Sequence, residues 1–109
     1  MVADTIYCNS YHACEGAELG DIGNSVIGSG YRALAGVSIT NVSNNVVGTG
    51  YQVIQGSMIR NVVNIYCSGE ESCNNANINN FRLLKAFGTN SLSGTTLVAN
   101  NSTSNVTIE

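Results

Sequence analysis

Apolar residues along this chain fall into columns when the sequence is written on a period near twenty. Ile6, Val26, Val46 and Ile65 stand 20, 20 and 19 residues apart. Leu19, Ile39, Ile59 and Ile78 form a second column, Ile22, Val42, Val62 and Phe81 a third, and Ala17, Val37, Ser57 and Ala76 a fourth. Between the second and third lies a polar column, Asp21, Asn41, Asn61 and Asn80, and two residues after the third come Asn24, Asn44 and Asn64. Asn and Asp tolerate left-handed backbone and bond local amides, so both polar sets read as corners. Gly16, Gly36 and Gly56 mark a further corner. Short alternating apolar stretches between corners at fixed offsets predict strands, and a fixed period predicts that each repeat is one rung of a stack.

The expected fold is therefore all-β, a single-stranded parallel β-solenoid (β-helix) of about five rungs in one domain spanning residues 1–109. The rungs are placed at about 5–24, 25–44, 45–63, 64–84 and a degenerate 85–100, with 101–109 a polar tail or a terminal exchange strand. Rungs stack at about 4.8 Å, so each inward residue sits on its equivalents above and below. Tyr11, Tyr31 and Tyr51 then form an outward aromatic ladder. The tail is read by laying "AFGTNSLSGTTL" on "VVGTGYQVIQGSMI". This places Gly88 on Gly48, Thr89 on Thr49, Leu92 on Ile54, Gly94 on Gly56 and Leu97 on Ile59, with two residues lost. "RLLKAF" at 82–87 has a second reading as one turn of amphipathic helix capping the fourth rung. "NVTIE" offers Val106 and Ile108 as the start of another strand.

Cysteine supplies the sharpest local pattern. "CNSYHAC" and "CSGEESC" share one spacing, and in the rungs between them the two Cys positions hold Gly28 with Leu34 and Gly48 with Ile54. A Cys pair exchanged for Gly plus a large aliphatic conserves volume at two positions that face each other across a narrow interior. The pattern predicts disulfides Cys8–Cys14 and Cys67–Cys73, with four reduced cysteines packed as small core residues as the other filling. Disulfides imply an oxidising compartment, outside the cell or at its surface. "MVADTIYC" lacks the basic and apolar regions of a signal peptide, so the chain is either written without one or not exported that way.

Composition narrows the function classes. The chain is 43% hydrophobic but only 10% charged, has no Pro or Trp, and carries a net charge of −3 with four Lys and Arg. That gives no basic footprint for nucleic acid or an anionic membrane, and no apolar run is long enough for insertion. The single His12 and the five-residue gaps between cysteines do not match metal-ligand spacing. His12 shares its column with Arg32, Gln52 and Glu71, the pattern of a solvated face, and the carboxylates are scattered. No catalytic, metal or cofactor site is expected, and the chain is not expected to be an enzyme. Sequons occur at Asn41, Asn100, Asn101 and Asn105, of which Asn101 and Asn105 lie in the polar tail and are the better-placed acceptors.

The stretch CxxxxxCxxA, as in "CSGEESCNNA", resembles the rungs of the beetle hyperactive antifreeze proteins, disulfide-stapled β-solenoids with a flat face of paired Thr that binds ice. The resemblance covers residues 8–17 and 67–76. The period here is longer, and the positions flanking Cys8, Gly28, Gly48 and Cys67 are mixed, so the resemblance implies the fold and the staples but not the ice face. "NSVIGSGYRALAG" is similar over a short span to head repeats of trimeric autotransporter adhesins. Two functional expectations follow. The first is a self-assembling structural protein whose copies join head to tail. The second is a binding module for carbohydrate or ice that uses a regular outward face.

Overall fold

The computed structural model describes residues 3–91, 94–98 and 105–108. Seven strands form one parallel sheet: β1 (Ala3–Cys8), β2 (Glu18–Ser29), β3 (Ser38–Thr49), β4 (Met58–Ser68), β5 (Asn77–Phe87), β6 (Thr96–Val98) and β7 (Asn105–Ile108). Each long strand pairs with the next in sequence order, which makes a β-solenoid of about four turns with a period near twenty. Among the described residues there is no helix. Residues 82–87 continue β5, and the helical-cap reading of "RLLKAF" is thereby corrected. Alternation explains why: Phe81, Leu84 and Ala86 are buried while Arg82 is exposed, and the apolar positions lie directly on Val62, Ile65 and Cys67 of β4.

Strand registers reproduce the expected columns. Ile6 pairs with Val26, Val26 with Val46 and Val46 with Ile65. Leu84 extends this column on β5, a member that the sequence reading lacked. Leu19, Ile39, Ile59 and Ile78 stack in the same way, as do Ile22, Val42, Val62 and Phe81. Apart from Ile6 and Leu19, which stand at the first rung and are partly covered, all of these are buried. The uncovered end of a stack is where an inward residue necessarily keeps some water contact.

Corners are built from left-handed residues and side-chain amides. Asp21, Asn41, Asn61 and Asn80 all have φ between 54° and 60°. Asn41 donates its amide to Asp21 at 3.1 Å, Asn61 to Asn41 at 2.9 Å and Asn80 to Asn61 at 2.7 Å. The second polar set does not form one column. Asn44 donates to Asn24 at 3.1 Å, but Asn64 donates to Asn45 at 2.9 Å. The register explains the break. Val42 faces Val62 while Asn45 faces Asn64, so the residue missing from the 19-residue step is lost opposite Ser43 and Asn44, and Asn64 moves over by one. Leu83 lies next in that row, and the buried Asn64 Oδ1 is left without a donor.

The tail also needs a correction. Gly88 stands on Gly69, which stands on Gly50, not in the column of Gly48. Gly94 falls on Asn75, in the column of Gly56, and Leu97 pairs with Ile78 as expected. No residues are lost between Gly88 and Gly94. Gly88 is the counterpart of Gly50, the second glycine of the pair, and not of Gly48. Leu92 lies outside the described residues. β7 returns to pair with the second half of β5, Val106 against Leu84 and Ile108 against Ala86.

Candidate functional site

The turn that closes each rung carries most of the exposed chemistry. In the first rung three turns overlap: Ala13 N–H donates to Ser10, Glu15 to His12 and Ala17 to Cys14, at 3.0, 3.1 and 3.1 Å. The third residue of each, His12, Cys14 and Gly16, has positive φ, the type II arrangement. Later rungs repeat it with Arg32 and Leu34, Gln52 and Ile54, and Glu71 and Cys73. Left-handed backbone costs a non-glycine residue about 1–2 kcal/mol, most for a β-branched one such as Ile54 at φ 64°. Inter-rung hydrogen bonds hold it in place. Within the turn they alternate in direction, His12 N–H to Tyr31 in the rung above and Leu34 N–H to Ala13 in the rung below.

This backbone turns neighbouring side chains inward together: Ala33 and Leu34, Val53 and Ile54, and Ser72 and Cys73 are all buried. Cys8 is bonded to Cys14 and Cys67 to Cys73, with Cα separations of 5.8 and 6.0 Å, and the described residues include no free cysteine. In the two intervening rungs the same space is taken by Leu34 and Ile54. A methyl group placed on Gly28 would stand 2.5 Å from Leu34 Cδ1, and one on Gly48 the same distance from Ile54 Cδ1. The glycines are required because the aliphatic side chain opposite already fills the interior.

Outward, Tyr31 stacks between Tyr11 and Tyr51, with ring centroids 5.0 and 5.3 Å apart and planes within 16° and 12°. Their facing surfaces are used by one another. The column continues as Glu70 and Thr89, whose carbonyls accept from Gln52 and Glu71 N–H. Beside it, His12, Arg32, Gln52 and Glu71 form more than the solvated face expected of them. The Glu15 carboxylate accepts from Arg32 at 2.9 Å and lies 2.7 Å from His12 Nδ1. Arg32 also donates to Gln52 at 3.3 Å and Gln55 at 3.1 Å, and Gln52 donates to Glu71. The hydrogen bond from Arg32 holds the Glu15 carboxyl below its ordinary range, despite an opposing effect of burial, and Glu15 in turn pushes Arg32 up. Tyr51 O–H donates to Glu71 at 3.2 Å, which pushes the phenol up. Sequence reasoning missed this network because its partners in neighbouring rungs are 17, 19, 20 and 23 residues apart, not all on the period.

One shallow concavity of about 330 Å³ includes two members of the corner ladder and is lined by Asn61, Val62, Val63, Asn80, Phe81 and Arg82. Among the described residues no three His, Cys, Asp or Glu side chains group as metal ligands, and no helix is long and apolar enough to cross a membrane. Of the sequons, Asn41 is engaged with Asp21 and Asn61. Asn101 lies outside the described residues, and Asn105 is described only as backbone of β7.

Fold and staples together define a disulfide-containing parallel β-solenoid. No protein-family model matches the chain, and no curated protein or solved structure is significantly similar to it.

Proposed function

We propose that this solenoid is a structural module whose copies associate end to end into a filament. One observation carries the reading: among the described residues β1 pairs only with β2, and β6 and β7 pair only with β5, so each end of the described sheet has a strand edge without a partner. An unpaired strand edge is a template for another chain. In a parallel stack the two edges are complementary, and a head-to-tail contact that does not close on itself grows into a fibre. Two disulfides in so small a domain are compatible with an extracellular location.

The second expectation, a sugar- or ice-binding face, has less support. The tyrosines stack on one another rather than presenting their faces outward, and the columns beside the cystines hold no paired Thr. Electron microscopy across a concentration series tests the filament. Fibres with a repeat near 4.8 Å along the axis are expected. Separate particles at every concentration would overturn the reading.

A further inference from the structure

The two cystines close loops of equal length in unequal surroundings. Each joins residues six apart, with Cα separations of 5.8 and 6.0 Å, so loop closure favours both to the same extent. Their cover differs. Cys67 pairs with Gly48 on one side and Ala86 on the other, Cys73 N–H donates to the Val53 carbonyl, and the Cys73 carbonyl accepts from the Thr95 hydroxyl. Both cysteines have 0% exposure, as do Ile65, Ser72 and Ile78 of the same rung. Cys8 pairs with Gly28 of β2, and among the described residues nothing pairs with its other side. Cys14 is half-buried, and so are Ile6, Ala13, Ala17 and Leu19, which pack against the core from the first rung. Thiol–disulfide exchange needs a thiolate at one of the two sulfurs, and an anion does not enter a closed apolar interior. The inner bridge therefore reacts only when neighbouring rungs open, whereas the outer one is within reach at Cys14 in the folded protein.

We propose that Cys8–Cys14 is a redox latch on β1, opened by a dithiol reductant while Cys67–Cys73 stays closed. One thiolate of the dithiol attacks Cys14 Sγ; the S–S bond breaks and its electron pair leaves on Cys8 Sγ, which takes a proton from water. The second thiolate attacks the reductant sulfur now bound to Cys14, closing the reductant into a cyclic disulfide and expelling Cys14 as a thiolate that is protonated in turn. The bridge gains two electrons and two protons, and the dithiol loses them. What this frees is β1 rather than the turn. The turn is tied to the second rung without the bridge: His12 N–H donates to Tyr31, Gly16 N–H to Ala35 and Leu34 N–H to Ala13, and Arg32 holds Glu15. With the bridge open, β1 keeps its pairing with β2 and the half-buried Ile6 on Val26, the contacts of a single edge strand, and such segments open locally. The latch acts within one copy and stands whether or not copies stack.

Timed exposure of the dilute, oxidised protein to dithiothreitol, followed by acid quenching, alkylation in denaturant and peptide mass spectrometry, reads each bridge separately. Cys8 and Cys14 should become labelled about tenfold faster than Cys67 and Cys73, or more. In protein reduced at the first bridge alone, the slow amides of residues 5–8 should exchange hydrogen about tenfold faster, with those of His12 and Gly16 unchanged. Cys8→Ser with Cys14→Ser should reproduce that pattern without any reductant. Equal rates for the two bridges, or earlier loss of Cys67–Cys73, would overturn the selectivity. Equal loosening of the turn, or no change in β1, would overturn the latch.

Discussion

The outer and middle rungs solve one packing problem in two ways. In the first and fourth rungs the interior beside the turn is spanned by a cystine; in the second and third it is filled by Leu34 over Gly28 and Ile54 over Gly48. Closing so short a loop with a disulfide contributes about 2 kcal/mol through the unfolded chain. Burying Leu or Ile contributes about 2–3 kcal/mol, from which a strand glycine subtracts about 0.5–1 kcal/mol. The two fillings are thus close in energy, and volume decides what the partner position can hold. A rung tolerates either pair better than a Cβ set opposite Leu34 or Ile54, because that Cβ forces the aliphatic side chain to shift.

The largest effect is expected where the filling is replaced by charge. Ile54→Asp, like Ile39→Asp or Ile59→Asp, buries an unpaired carboxylate at a position with no exposure, and circular dichroism should show an unfolded chain. Next comes Gly50→Ala. Gly50 has φ 132°, and its added methyl would stand 2.8 Å from the Gly30 carbonyl oxygen, so backbone must shift; a loss of about 3 kcal/mol in denaturant unfolding is expected. Gly48→Ala presses on a side chain instead and should cost about 2 kcal/mol. Combining it with Ile54→Val should recover part of that loss, and a double-mutant cycle that shows simple additivity would break the idea of shared volume.

The smallest effect concerns pH. The Glu15 carboxyl is depressed in the folded protein, chiefly by its hydrogen bond from Arg32, so its contribution is present above the ordinary carboxylate range and is lost as pH falls through the depressed value. Glu15→Gln should flatten the acid limb of the stability profile slightly, and thermal melts across that range measure it. The site is exposed, and added salt should shrink the difference further.

Much of this molecule was legible because a solenoid writes its core as vertical columns. Val26, Val46 and Ile65 declare one another by period alone, and the exchange of Cys67 with Cys73 for Gly48 with Ile54 declares a contact that no local motif would. What stayed hidden is set by backbone conformation and by single-residue register. Arg32, Leu34, Gln52 and Ile54 occupy left-handed positions that their residue types do not advertise, since the inter-rung hydrogen bonds rather than local preference hold them. The lost residue opposite Ser43 and Asn44 was invisible between columns that agree on both sides of it, so Asn64 was assigned one place away from its partner Asn45. Gly88 was misplaced for a related reason: glycines two residues apart serve different needs, Gly48 making room for a side chain and Gly50 for another backbone.

The most direct test of interchangeable fillings is to give the fourth rung the solution of the third. The variant Cys67→Gly with Cys73→Ile should fold, keep its strand content, and lose about 2 kcal/mol or less in denaturant unfolding relative to the oxidised parent. It should also be more stable than Cys67→Ala with Cys73→Ala, which leaves the space unfilled. If the Gly and Ile variant is no more stable than the Ala pair, or does not fold, the cystine and the aliphatic filling are not equivalent and the account of the repeat is wrong.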